Sequence, residues 1–350
     1  MQIQYKTIHL KKRFALAISR GVTNGTDNLF LAITMQDITG FGEMSPGRTE
    51  GADSVESAQT ALESFTADND LEALSVDAIH DLALEQQVPA CAIAGLDIAL
   101  WDWLARKNAQ PLYQMLGFPR PKVPTSVTVG INPPEVLKER VPLLLEGTGV
   151  RSLKLKLGSP EGIEVDQAMY AQVAESARAY GVSLRVDANG GWDVAAAKTM
   201  MRWIAERGAD YVEQPLEQGA EDGLPELFRD RPLPILIDES CHFVDDANRW
   251  SHCVDGVNIK MMKCGGITGA LRIIAAAKEH GLKIMVGCMG ESSMSIAAAA
   301  ALTGLADHVD LDSHLNLDPD PSLGTRLLEG VVVPLANPGH GATLKPEYAW

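Results

Sequence analysis

The chain has 350 residues, more than one typical domain and enough for a barrel with a smaller companion. Its 30 basic and 46 acidic residues give a formal net charge of −16, which argues against nucleic acid or an anionic membrane as partner and leaves any anionic substrate to be held by local cations. Hydrophobic residues make up 46%, enough for a large core, yet no window reaches transmembrane length and the opening MQIQYKTIHLKKRF lacks a signal-peptide apolar core. The five cysteines, Cys91, Cys241, Cys253, Cys264 and Cys288, include no CxxC pair, so the expectation is a cytoplasmic protein with free thiols.

In chain order, the first 60 residues read as short strands, with Thr39-Gly40-Phe41-Gly42-Glu43 as a turn entering one of them. From about 54 to 116 the period becomes helical; an apolar-rich helix covers 92–105 and Pro111 opens another. After Pro121 short apolar runs alternate with helical stretches. The runs are 125–129, 152–157, 183–186, 211–212, 235–237, 256–259, 283–287 and 308–311, with helices such as 193–207 and 269–280 between them. Eight strand–helix units of short period predict an α/β fold: a (β/α)7-8 TIM-type barrel over 121–328, carrying an N-terminal α+β capping domain over 1–120. The segment 329–350 is expected to pack back on the cap. A doubly wound open sheet would want a Gly-rich phosphate turn after its first strand, which Gly130-Ile131-Asn132-Pro133 does not supply.

Barrel enzymes place their chemistry at the carboxyl ends of the strands. In Ser152-Leu153-Lys154-Leu155-Lys156-Leu157 the leucines share one face and the lysines the other, so the lysines point into the barrel. Three successive strands end in Asp187, Glu213 and Asp238, spaced 26 and 25 residues apart. One strand–helix unit separates each pair, so the carboxylates converge. Helix capping explains one strand-end acid well and three at regular spacing poorly. Converging carboxylates repel unless a hard dication sits among them, and an all-oxygen set with open positions suits Mg2+, one per active site. The next strand ends Asn258-Ile259-Lys260, placing Lys260 across the metal from the first two lysines. Lys263, in the following loop, reads as a solvated surface lysine. Asp310 and Asp312 share a face at the end of the eighth strand.

The lysine pair, the three acids, Asn-Ile-Lys followed by Cys-Gly-Gly, Gly42-Glu43 and Ala-Leu-Trp-Asp at 99–102 together resemble the muconate-lactonizing-enzyme branch of the enolase superfamily, over essentially the whole chain. The Asp-Leu-Asp at 310–312 is similar to that of the dipeptide epimerases, L-Ala-D/L-Glu epimerase among them, where the acids hold the substrate's α-ammonium. The resemblance implies a homo-oligomeric isomerase inverting the C-terminal α-carbon of a dipeptide. Lys156 and Lys260 would be the proton-transfer pair, and Lys154 would tune Lys156 and contact the carboxylate. Asn189 and Glu239 would orient the metal's partners. It also implies that Arg20, in a cap loop, meets a substrate side-chain carboxylate; an exposed loop arginine is the alternative. Thr125, Thr128, Met289 and Glu291 complete the expected pocket. The sequence departs from this pattern at Gly190 and His340. An o-succinylbenzoate-synthase or cycloisomerase activity on the same scaffold stays open, as does a non-catalytic ligand-binding role.

The chemistry asks for a base beside a dication. A carboxylate's α-proton is a weak acid, and metal contacts stabilise the charge that builds as it leaves. A Lys or His base with Mg2+ is a general property of this superfamily.

Overall fold

The computed structural model describes residues 1–350. The cap opens with an antiparallel sheet of β1 (Gln2–Ile18), β2 (Gly21–Met35) and β3 (Ile38–Met44) in that order. These strands correct the expectation of short strands: β1 and β2 form one long hairpin whose register breaks between Lys11 and Leu16. The turn that the sequence placed at 39–43 lies instead at Gln36-Asp37, both with positive φ, as a tight hairpin requires. Gly40 and Gly42 are strand residues that let a helix approach. A Cβ on Gly42 would lie 2.1 Å from the Gly95 carbonyl, and one on Gly40 2.2 Å from that of Ala99.

That helix is the third of α1 (Val55–Asp68), α2 (Val76–Glu85), α3 (Ala90–Lys107) and α4 (Leu112–Met115). Twelve of the 18 residues of α3 are buried, because it is covered by the cap sheet on one side and by barrel helices on another.

The eight expected runs all form strands: β4 (Val127–Val129), β5 (Ser152–Lys156), β6 (Ser183–Asp187), β7 (Ala209–Glu213), β8 (Ile235–Ile237), β9 (Gly256–Ile259), β10 (Lys283–Gly287) and β11 (His308–Asp310). They are parallel and neighbour one another in sequence order from β4 to β11. Closure between β4 and β11 is made by a single bridge, Thr125 to Val309, with the Ser126 amide donating to the Val309 carbonyl at 3.0 Å. Helices α5 (Pro134–Leu145), α6 (Ile163–Ala177), α7 (Val194–Ala205), α8 (Leu224–Arg229), α9 (Val244–Trp250), the short α10 (Met261–Cys264), α11 (Ile267–Glu279) and α12 (Ser293–Ala300) follow their strands. Two small antiparallel pairs close the chain: β13 (Thr325–Leu328) with β14 (Val331–Pro334) as a hairpin, flanked in sequence by β12 (Ser322–Leu323), which pairs with β15 (Thr343–Leu344).

Two buried carboxylates from the cap seat on the amino ends of barrel helices, where free backbone N–H groups favour negative charge. Asp97 accepts from the Thr268 amide at 3.0 Å and its hydroxyl at 2.5 Å. Glu43 accepts from the Ser292 amide and hydroxyl, the Ser295 amide and Asn28. Burial drives both carboxyls up to about 7. The C-terminal segment returns to the cap: the Lys6 ammonium donates to the Tyr348 carbonyl at 2.9 Å, and Trp350 stacks on Phe41. His340 is buried there. Its Nδ1 accepts from the Ala342 amide, so Nε2 carries the proton and donates to the Phe41 carbonyl at 2.9 Å.

Candidate active site

Period-two alternation decides which side chains enter the barrel. On β5 the leucines Leu153 and Leu155 join the hydrophobic core, and Lys154 and Lys156 are buried among carboxylates. Asp187, Glu213 and Asp238 stand at the ends of β6, β7 and just past β8, fully buried, with one ligand oxygen of each lying within 4.8 Å of the others.

Each acid of this trio is held the same way. One oxygen takes a fixed donor from outside: the Asn189 amide on Asp187 Oδ1 at 2.8 Å, Asn258 Nδ2 on Glu213 Oε1 at 2.7 Å, and Lys263 Nζ on Asp238 Oδ1 at 2.5 Å. The other oxygen faces a lysine: Lys156 on Asp187 Oδ2 at 2.5 Å, Lys154 on Glu213 Oε2 at 3.2 Å, and Lys260 on Asp238 Oδ2 at 2.6 Å. Lys263 is therefore not a surface residue. It is 1% exposed and its ammonium also donates to the Asp238 and Cys241 carbonyls, because the turn of α10 folds it under the barrel mouth.

The electrostatics test whether a dication fits. Burial and the charge of Asp187 push the Glu213 carboxyl up to about 8, even with Lys154 beside it. Burial also raises Asp187, but Lys156 and Lys154 outweigh it and hold that carboxyl below its ordinary range. Asp238 is held well below, Lys260 and Lys263 overcoming its burial. Glu213 alone is thus short of positive charge, and an all-oxygen cluster of three such acids suits Mg2+. On Lys260 burial opposes the ammonium, but Asp238 more than compensates and raises it above the ordinary lysine value.

Above the trio lies a cavity of about 580 Å³ roofed by the cap hairpin. Lys156, Lys260, Asn189, Glu239, Arg20, Thr128, Met289, Asp310 and Asp312 all line it; Lys154, Thr125 and Glu291 do not. Lys154 lies beneath, bonded to Asp310 Oδ2, whose other oxygen accepts from the Ser126 hydroxyl at 2.7 Å. Asp312 accepts from the Thr128 amide at 2.6 Å, and burial with the Asp310 charge lifts its carboxyl to about 6. Arg20 donates to Glu239 at 2.7 Å and to the Asn189 carbonyl at 2.8 Å, which ties the hairpin tip to the metal-side loop. Glu239 in turn accepts from Asn189 Nδ2 at 3.1 Å. Thr125 is a seam residue, its hydroxyl accepting from the Leu311 amide, and Glu291 accepts from the Met289 amide.

Asn258, Gln214, Ser126 and Lys263 were given no role by the sequence. Asn258 shares a strand face with Lys260 at a spacing of two, a signal that was present. Gln214, whose Oε1 accepts from the Asp238 and Ser240 amides, has positive φ and gave no signal.

The chain belongs to the enolase superfamily. The family described as "Enolase C-terminal domain-like" matches residues 137–349, and the "Mandelate racemase / muconate lactonizing enzyme, N-terminal domain" matches 4–117. It is 57% identical over 348 residues to a hydrophobic dipeptide epimerase of a Flavobacteria bacterium (strain MS024-2A), covering 99% of both chains. It is 55% identical to a hydrophobic dipeptide epimerase of Roseobacter litoralis, covering 98% of this chain and 99% of that one. The solved structure of a dipeptide epimerase from Enterococcus faecalis V583, in complex with Mg and the dipeptide L-Leu-L-Tyr, superposes with a TM-score of 0.90 at 29% identity, over 98% of this chain and 99% of that one. The chain is an enzyme of the isomerase class, like these relatives.

Proposed function

We propose that the protein is a Mg2+-dependent epimerase of hydrophobic dipeptides that inverts the C-terminal α-carbon by proton transfer between Lys156 and Lys260. The observation that carries this reading is that both amines open into one cavity from opposite flanks of the acid trio. Asp187, Glu213 and Asp238 would hold the metal. When bound, it supplies Lewis-acid stabilisation of the charge that grows on the substrate carboxylate as the α-proton leaves. One lysine takes that proton and the other delivers one to the opposite face, which inverts the centre. Lys260 becomes a better base once it leaves Asp238, since that contact raises its ammonium above the ordinary lysine value. Asp310 and Asp312 would receive the dipeptide's α-ammonium.

Two features support an apolar substrate over L-Ala-D/L-Glu. Arg20 already spends its charge on Glu239, so it is not free to read a substrate carboxylate. Phe14, Leu16, Ile18, Leu144, Val150 and Leu315 give the cavity an apolar wall. The naming of the relatives at 57% and 55% identity points the same way. The five unpaired cysteines accord with a cytoplasmic setting.

A dipeptide library in heavy water with Mg2+, read by mass spectrometry, tests the reading. Deuterium should enter hydrophobic dipeptides at one site with no ring or alkene product. A preference for L-Ala-L-Glu overturns the substrate class, and product formation by elimination or ring closure overturns epimerisation.

A further inference from the structure

Lys263 takes no part in the proton transfer and does not line the cavity, yet it is one of the most completely buried side chains of the molecule. A buried ammonium is costly unless each of its three donors is used. Here all three are, and all on one turn: Asp238 Oδ1, the Asp238 carbonyl and the Cys241 carbonyl. Asp187 and Glu213 have their outer oxygens fixed by neutral donors, the Asn189 amide and the Asn258 side chain. Asp238 alone has a cation there. It is also the acid whose inner oxygen touches Lys260, the lysine read above as a proton carrier.

We infer that Lys263 is a positioning residue for the metal site. It clamps Asp238 by one oxygen and by its backbone, so that Oδ2 stays aimed at the trio when Lys260 lets go to exchange a proton. A carboxylate held by both oxygens through lysines would otherwise turn with the departing partner. The inference rests on the acid trio being a metal site and not on the identity of the substrate.

The experiment is Mn2+ titration of the enzyme without dipeptide, followed by electron paramagnetic resonance, for the unaltered protein, Lys263→Met, Lys263→Gln and Lys260→Met. Partners that orient ligands typically contribute 10–100-fold in metal affinity. The expected result is at least a ten-fold weaker Kd in both Lys263 variants, and no weakening in Lys260→Met, which removes an ammonium from the metal side. Lys263→Gln keeps the side chain's bulk and a donor, so it is the variant expected to fold if the methionine is not tolerated. Mn2+ affinity within two-fold of the unaltered protein in either folded Lys263 variant overturns the inference. So does an equal loss in Lys260→Met, which would make the effect one of general charge, and so does failure of both Lys263 variants to fold, which would assign the lysine to the fold alone. No Mn2+ binding by the unaltered protein would overturn the metal reading itself.

Discussion

Truncating either proposed proton carrier should separate the two halves of the reaction. In Lys260→Ala the Asp238 carboxylate keeps Lys263 on its outer oxygen, and in Lys156→Ala the Asp187 carboxylate keeps the Asn189 amide, so each acid remains oriented. What is lost is one acid–base group on one side of the substrate. Such groups contribute about 10²–10⁴-fold, or roughly 3–5 kcal/mol of barrier. On the proposed scheme overall epimerisation needs both lysines, whereas exchange of the α-proton with solvent needs only the one on the proton's own side. The assay is proton NMR in heavy water with Mg2+, starting separately from the L,L and L,D isomers of a hydrophobic dipeptide. One variant should wash deuterium into the L,L isomer alone and the other into the L,D isomer alone, with neither interconverting them. A variant that exchanges both isomers at similar rates, or epimerises within ten-fold of the unaltered enzyme, would refute the two-base scheme.

Three further outcomes are expected. Mg2+ at 100 times its Kd should stabilise the fold by about 2.7 kcal/mol, raising Tm by several degrees, and Asp238→Asn should abolish that rise; an unmoved Tm in the unaltered protein speaks against the metal site. Asp97 and Glu43 each keep a proton when folded up to about pH 7 that they lose near pH 4 when unfolded, so stability is full below that range and declines as pH rises through it. For Asp97 this amounts to about 4 kcal/mol, so Asp97→Asn should unfold at a higher urea concentration relative to the unaltered protein at pH 8 than at pH 4, and equal offsets at both would contradict the burial argument. Arg20 is 48% exposed, so its ion pair with Glu239 contributes under about 1 kcal/mol to stability. Arg20→Ala should raise KM for all dipeptides alike, and a loss confined to Glu-bearing dipeptides would restore Arg20 as the reader of a side-chain carboxylate.

Much of the barrel was legible because its signals are local. Leu-Lys alternation on β5 fixes which residues face inward, and the even spacing of Asp187, Glu213 and Asp238 follows from repeated strand–helix units. What was not legible depends on contacts between distant segments. Gly40 and Gly42 read as turn residues in isolation, and only the approach of α3 makes them strand residues. Lys263 sits in a stretch with no period, so nothing near it in sequence announces burial against a turn 25 residues earlier. Arg20 lines the cavity, but its bond to Glu239 spans 219 residues and bears on what it can recognise.

The thin joint between β4 and β11 has a consequence for how this enzyme diversifies. The cylinder is zipped there by one bridge and by the hydroxyls of Thr125 and Ser126, and the same Ser126 hydroxyl holds Asp310. The acids proposed to grip the dipeptide's amino end therefore stand beside this joint, while the proposed proton carriers and metal ligands stand at the ends of strands laddered on both sides. Exchanges beside this joint can retune which amino terminus is welcomed, and Lys154, bonded to both Asp310 and Glu213, is the side chain through which they would reach the acid trio.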